Sequence, residues 1–168
     1  PVNDAPVLSS IAAQSVDEDN TFTYQLSADD VDGDNLTYVA SSSHGSVSIV
    51  GSTLTVVPED DYNGDIQIDV VVNDGELTDS GSFTLTVNPV NDAPELDIIS
   101  DQSLDEDNTF TYQLSASDVD GDLLEYTASV NANASVGIDG PTLSIAPYLN
   151  YNGDITVSIT VSDGQLTD

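Results

Sequence analysis

Lysine and arginine are absent from this chain, whereas 31 of its 168 residues are acidic, giving a formal charge of −31 at pH 7. With no side-chain cation to neutralise phosphates, a nucleic acid is excluded as a natural partner, and so is an anionic membrane surface. Cysteine is also missing, so no disulfide and no thiolate metal site can form. A secreted domain without disulfides needs another staple, and a bound metal is one choice. No apolar run is long enough to span a bilayer, and no signal peptide opens the chain. Because Pro1 stands in what reads as a linker, the sequence is expected to be an internal segment of something longer. The 38% hydrophobic content is ordinary for a globular protein. Cations are the expected partners.

The chain repeats itself. PVNDAP at Pro1 to Pro6 recurs at Pro89 to Pro94, and DEDNTFTYQLSA at Asp17 to Ala28 recurs unchanged at Asp105 to Ala116. DVDGD at Asp30 to Asp34 recurs at Asp118 to Asp122. Within each copy, short stretches of period-two alternation are separated by Gly, Asn, Asp and Pro, which predicts strands and turns. Phe22, Tyr24 and Leu26 share one face, as do Leu36, Tyr38 and Ala40, then Val47 and Ile49, then Leu54 and Val56. Ile66, Ile68, Val70 and Val72 form the longest apolar row, and Phe83, Leu85 and Val87 the last. With a first strand near Val7 to Ile11, each copy holds about seven strands, the pattern of an immunoglobulin-like sandwich. The fold class is therefore all-β, two tandem Greek-key sandwiches over residues 1–91 and 92–168. Residues 1–6 are expected to be a linker from a preceding domain. The second sandwich stops before its seventh strand, either because the segment is truncated there or because a neighbouring chain donates the strand. Tyr62 and Tyr151 occupy the place of a corner tyrosine bonded to nearby backbone.

Successive antiparallel strands run up and down, so alternate loops share an end. If the chain enters at the top, Asp17-Glu18-Asp19 and Glu59-Asp60-Asp61 fall at the bottom of the first unit, followed by linker residues Asn91 and Asp92. With the second unit stacked below, its top offers Asp118, Asp120, Asp122 and Asp163. Three oxygen-rich sets are thus expected to converge on one junction. Calcium accepts about six to eight oxygens in flexible geometry, whereas magnesium keeps its water and zinc wants nitrogen or sulfur. Calcium is the expected cofactor.

These residues resemble the cadherin-type repeat and its cadherin-like relatives in giant, RTX-type bacterial surface adhesins. Glu18 and Glu106 look like the glutamate before the second strand of that family. ADDVDGDN and ASDVDGD look like its D-x-D-x-G-x-N loop, one residue shorter. VNDG at Asp74 and VSDG at Asp163 match its A-x-D-x-G turn, and VNDAP approximates its D-x-N-D-N-x-P linker. The resemblance implies calcium between successive domains, held by these positions. It places Asn3, Asp4, Asp30, Asp32 and Asp74 at an upper end that awaits a preceding domain. Two departures stand out: Pro89 replaces the first linker Asp, and Tyr148-Leu149-Asn150 carries no carboxylate where the first unit has Glu59-Asp60-Asp61.

Rival readings fail on particular residues. An EF-hand needs glycine sixth in its loop, where Asn35 and Leu123 stand. A DVDGD phosphatase motif lacks the lysine that its phosphoryl transfer needs, and a carboxylate pair for glycoside hydrolysis would not recur identically in two units. No enzymatic role is expected. A carbohydrate- or protein-binding module is the alternative, weakened by the absence of tryptophan and by tyrosines that pair between units as core positions would. Only Tyr148 is unmatched, and His44 reads as an ordinary loop residue. The expected function is a pair of calcium-rigidified extender domains of a secreted or cell-surface adhesin. Its partners would be neighbouring repeats, with homophilic or strand-donating contacts beside them. It is expected to be extracellular.

Overall fold

A computed structural model describes residues 2–168; Pro1, the head of the expected linker, lies outside the described residues. The described residues form strands, turns and loops with no helix. They divide into two compact units, the first ending at Val90 and the second beginning at Asn91.

In unit 1 alternation becomes two facing sheets. One sheet orders β2 (Gln14–Asp17), β9 (Thr78–Asn88), β8 (Gly64–Asn73) and β5 (Thr37–Ser42) side by side, and the other orders β3 (Phe22–Gln25), β7 (Thr53–Val57) and β6 (Ser46–Val50). The apolar rows meet between them. Ile66, Ile68, Val70, Leu85, Leu54 and Val56 are fully buried in one cluster, and the Phe83 ring lies 6.3 Å from Phe22 and 6.2 Å from Tyr24. The β-branched and aromatic residues of these strands suit a pleated, half-buried surface; their outward neighbours are mostly polar, with Val39, Val50 and Val57 exposed among them.

The start of the unit departs from the expected single strand. Val7–Leu8 (β1) pairs antiparallel with Ala28–Asp29 (β4), while β2 crosses to the opposite sheet and runs parallel to β9, Gln14 opposite Leu85 and Asp17 opposite Asn88. Ser9 to Ala13 carry the crossover. Their backbone leaves the β1–β4 ladder after the Ser9 N–H bond to the Ser27 carbonyl, Ile11 packs against the core between the sheets, and pairing resumes at Gln14.

Unit 2 repeats the plan in part. Glu95–Leu96 (β10) pairs with Ala116–Ser117 (β12), and Phe110–Gln113 (β11), Thr142–Pro147 (β15) and Ala134–Asp139 (β14) form a three-stranded sheet. Glu125–Val130 (β13) pairs with Val157–Ser162 (β16). Leu114, Ala134, Leu143 and Ile145 are its buried centre, with Ile155, Val157 and Ile159 packed against them but only half-buried.

The corner tyrosine takes its expected bond in both units: the Tyr62 hydroxyl donates to the Asp65 carbonyl at 3.2 Å and Tyr151 to that of Asp154 at 3.1 Å. Glycine is required beneath each ring. Gly64 has φ +137°, and a Cβ there would meet the Tyr62 hydroxyl at 3.2 Å; Gly153, at φ +145°, would meet that of Tyr151 at 2.8 Å. His44 is more than a loop residue, since its ring stacks on Tyr62 with centroids 4.7 Å apart.

Candidate metal centre

At the upper end of unit 1 the acidic loop folds around its own backbone. Asp30 Oδ1 accepts the N–H groups of Asp32 and Gly33 at 2.9 Å and of Asp34 at 3.3 Å. Gly33 makes the turn possible with φ +80°. Peptide dipoles thus stand in for the missing cations on one oxygen of Asp30, as hydrogen bonds to the charged form do for any carboxylate. The other oxygen, Oδ2, is buried and has no hydrogen-bond partner. Asp30, Asp32 and Asp34 each bring an oxygen within 4.8 Å of the others. The entering chain joins them: Asp4 N–H donates to Asp32 Oδ2 at 2.8 Å, and Asn3 Nδ2 to Asp74 Oδ2 at 2.9 Å.

Unit 2 builds the same end from the same letters. Asp122 N–H donates to Asp118 Oδ1 at 3.2 Å, and Asp118 Oδ2 is again buried without a partner. Asp118, Asp120 and Asp122 bring their oxygens within 4.8 Å of one another. Asp92 N–H donates to Asp120 Oδ2 at 2.8 Å, and Asn91 Nδ2 to Asp163 Oδ2 at 2.7 Å. The linker residues are therefore bonded to the acidic loops of unit 2 as Asn3 and Asp4 are to those of unit 1.

The lower end of unit 1 differs. Glu18 is 2% exposed, the one buried charged residue among those described. Its N–H donates to the Asn88 carbonyl at 2.9 Å, and its Oε1 accepts from the Val90 N–H. Asp61 N–H donates to Asp19 Oδ1 at 3.2 Å, which brings the two acidic turns together. Glu59 and Asp60 are exposed, and Glu59 contributes a carbonyl to the Tyr62 N–H. In unit 2, Asn150 N–H donates to Asp107 Oδ1 at 2.8 Å, while Glu106 is exposed.

Hydrogen bonds hold two carboxyls below the ordinary carboxylate value of 3.8. Asp163 is held down first by the Asn91 amide and then by the Gln165 and Leu166 N–H groups; Asp74 is held down first by the Leu77 and Glu76 N–H groups, then by Asn3, with partial burial opposing in both. A depressed folded value means that each contribution is present above the unfolded value and is lost as pH falls through the folded one. The window therefore lies below 3.8. Asn91→Ala is expected to move the Asp163 titration midpoint upward while leaving that of Asp74 in place, read by carboxyl NMR shifts. Equal movement of both would show a general loss of structure instead.

The bacterial Ig domain family matches residues 3–86, half of the chain, and the cadherin-like domain family matches residues 90–168. The chain belongs to the bacterial Ig domain family. Its second unit is cadherin-like, so the resemblance read from the motifs holds for that unit, while the first falls to the bacterial Ig family. Chitinase A of Pseudoalteromonas piscicida is 29% identical over 96% of the chain, which spans one fifth (20%) of that protein. Human protocadherin-24 EC1-2 superposes with a TM-score of 0.63 at 18% identity, covering 98% of this chain and 89% of that one. Drosophila N-cadherin EC1-4 gives 0.58 at 16% identity, over 99% and 48%. At such identities the two cadherins establish the fold.

The donor set of both the bacterial Ig unit and the cadherin-like unit fits a hard divalent cation. Orphaned buried oxygens on Asp30 and Asp118 are costly unless a donor or an ion meets them, and carboxylate oxygen is the ligand calcium takes. Three acids outside the expected ligand sets also belong to these ends: Asp34, Asp79 and Asp168. Asp79 Oδ2 accepts from Leu8 N–H and Asp168 Oδ2 from Leu96 N–H, both at 2.8 Å. Their signal was present in the repeated Leu-Thr-Asp at Leu77 to Asp79 and Leu166 to Asp168.

Proposed function

We propose that the chain is a calcium-dependent spacer, two sandwich domains that hold other parts of a larger secreted or surface-exposed protein at a set distance. The observation that carries it is the pair of buried, unpartnered oxygens on Asp30 and Asp118, in a chain without a single lysine or arginine. Asp30, Asp32, Asp34, Asp4 and Asp74 would hold calcium at the head of the first domain, and Asp92, Asp118, Asp120, Asp122 and Asp163 at the head of the second. At the first domain's exit, Glu18 accepts from the Val90 N–H and Asp17 from the Asn88 side-chain amide. Bound calcium supplies positive charge and oxygen cross-links where like charges would otherwise repel. The chain's own residues do the rest. Glu18 grips Val90, and Asp163 and Asp120 grip Asn91 and Asp92. Consecutive linker residues are thus held by acids, and neutralising those acids would restrain the linker.

Domains of both families are typically extracellular and non-catalytic, and no helix among the described residues is long and apolar enough to cross a membrane. Extracellular calcium modules bind at about 10⁻⁴ to 10⁻³ M, so the spacer would be set outside a cell and loose inside it. An adhesin is one host for it. The match to part of chitinase A favours a second host, a polysaccharide-acting enzyme in which these domains separate other modules. A direct sugar-binding role would use the exposed Tyr148 and Leu149; retention on chitin that survives chelator would favour it. Small-angle scattering tests the spacer itself. Calcium is expected to narrow the distribution of end-to-end distances and shift the radius of gyration. An identical scattering curve in calcium and in EDTA sinks the proposal.

A further inference from the structure

Strand β1 is only two residues long, Val7 and Leu8, opposite Asp29 and Ala28. So short a pairing is not stable by itself. The Ser9 N–H donates to the Ser27 carbonyl at 2.9 Å, and because ladder bonds alternate, the Leu8 N–H points the other way. There it meets a side chain: Asp79 Oδ2 accepts it at 2.8 Å, while Asp79 Oδ1 accepts the Ser80 N–H, also at 2.8 Å. Gly81 completes the seat. A Cβ on it would stand 3.2 Å from Leu8 Cδ2, so bare backbone lets the leucine lie close to β9 and reach the core cluster it packs against.

Unit 2 makes the same bonds. Leu96 N–H donates to Asp168 Oδ2 at 2.8 Å and Asp97 N–H to the Ser115 carbonyl at 2.9 Å, with Leu96 opposite Ala116. In unit 1 the strand so held leads directly to the acidic end. Val7 stands opposite Asp29, the neighbour of Asp30 with its buried, unpartnered Oδ2. A few residues before Leu8, Asp4 N–H donates to Asp32 and the Asn3 side-chain amide to Asp74. Asp79 belongs to none of the carboxylate groups that converge within 4.8 Å among the described residues, and both of its oxygens already accept N–H groups.

We propose that Asp79 is the positioning residue of the calcium site at the head of unit 1. It is not a ligand. It holds Leu8, and through β1 it fixes the register in which Asn3 and Asp4 meet the acidic loop. The inference rests on the calcium reading above. Without the carboxylate, the Leu8 N–H loses its partner and β1 frays from β4. Calcium would then bind only the fraction of molecules in which the strand is docked, and the apparent affinity falls by that fraction.

The test compares Asp79→Ala and Asp79→Asn with the unaltered protein. Amide hydrogen exchange is followed in EDTA, and carboxyl NMR shifts through a calcium titration. Asp79→Ala is expected to speed exchange at Leu8 and Ser9 about ten-fold or more and to weaken calcium at Asp30 by about the same factor. Asp118 in unit 2 keeps its affinity. Asp79→Asn is expected to recover most of both losses, since its amide oxygen still accepts from the Leu8 N–H. Should Asp79→Ala unfold unit 1, an ester in place of the Leu8 amide removes the N–H alone and carries the same expectation, read at Ser9. Faster exchange at Ser9 with unchanged calcium affinity at Asp30 overturns the inference. So does an asparagine variant as weak as the alanine one, which would make charge rather than strand docking the cause. A calcium reading that is itself wrong looks different: Asp30 gives no response to calcium in the unaltered protein, and the proposal falls with it.

Discussion

Saturating calcium is expected to raise the unfolding temperature by about 10–20 °C over the protein in EDTA. Binding to the folded form at a hundredfold excess over the dissociation constant stabilises by about 2.7 kcal/mol per site, and in a domain of this size each kcal/mol moves the midpoint by about 4–8 °C. The chain's composition makes the effect large. With no lysine or arginine, the acids are met by neutral donors, peptide N–H groups and side-chain amides, and those of the Asp30 loop are spent on a single oxygen. Asp118→Asn gives the prediction its sign. Removing a charge whose Oδ2 lies buried and unpartnered should raise the midpoint in EDTA, because an uncompensated buried charge is destabilising. In calcium the same change should lower it, because a ligand is gone. Asp69→Asn, on an exposed strand position, is the control and should shift both conditions alike. Differential scanning calorimetry decides. If sodium chloride at matched ionic strength reproduces the calcium effect, screening is the whole cause and specific binding is refuted.

Phe83→Ala is expected to destabilise unit 1 by about 3–5 kcal/mol, the usual cost of removing a large buried aromatic side chain. Phe83 is 4% exposed, is paired with Ile68 across β8 and β9, and has the rings of Phe22 and Tyr24 as neighbours at 6.3 and 6.2 Å. Its loss opens the centre of the interface between the two sheets, where no flexible side chain can fill the space; methionine is absent from the chain. Unit 2 has its own core cluster, so its transition should stay where it was. Urea unfolding followed by NMR signals of each unit would show this, and a single transition that moves as a whole would mean that the two units unfold together.

The strands were legible because alternation is a local property. Ile66 to Val72 and Phe83 to Val87 declare their inward faces in the sequence, and those inward residues are buried in unit 1. The division of the first strand was not legible. Whether Gln14 to Asp17 pair at all depends on β9, some seventy residues away, and nothing in SSIAAQSVD signals a parallel partner. Among site residues, the acid loops and the Asn–Asp linker steps were readable because each recurs. Asp34 was passed over for a different reason: its part comes from the turn that brings its oxygen within 4.8 Å of those of Asp30 and Asp32, which its place in the motif does not specify. The tie of Asp61 to Asp19 is made across the fold, at 3.2 Å, and leaves no mark at either position in the sequence.

The parallel pairing of β2 with β9 bears on how unit 1 responds to traction. Its chain enters at one end and leaves at the other, and β2, the second strand after entry, runs beside β9, the last strand before the exit, from Gln14–Leu85 to Asp17–Asn88. Pulling the ends apart slides these strands along their shared axis, so the hydrogen bonds between them strain together and must rupture almost at once. A hairpin pulled from its open end would instead unzip one rung at a time. In a tether exposed to flow, that patch of four facing residue pairs is where the domain would yield last.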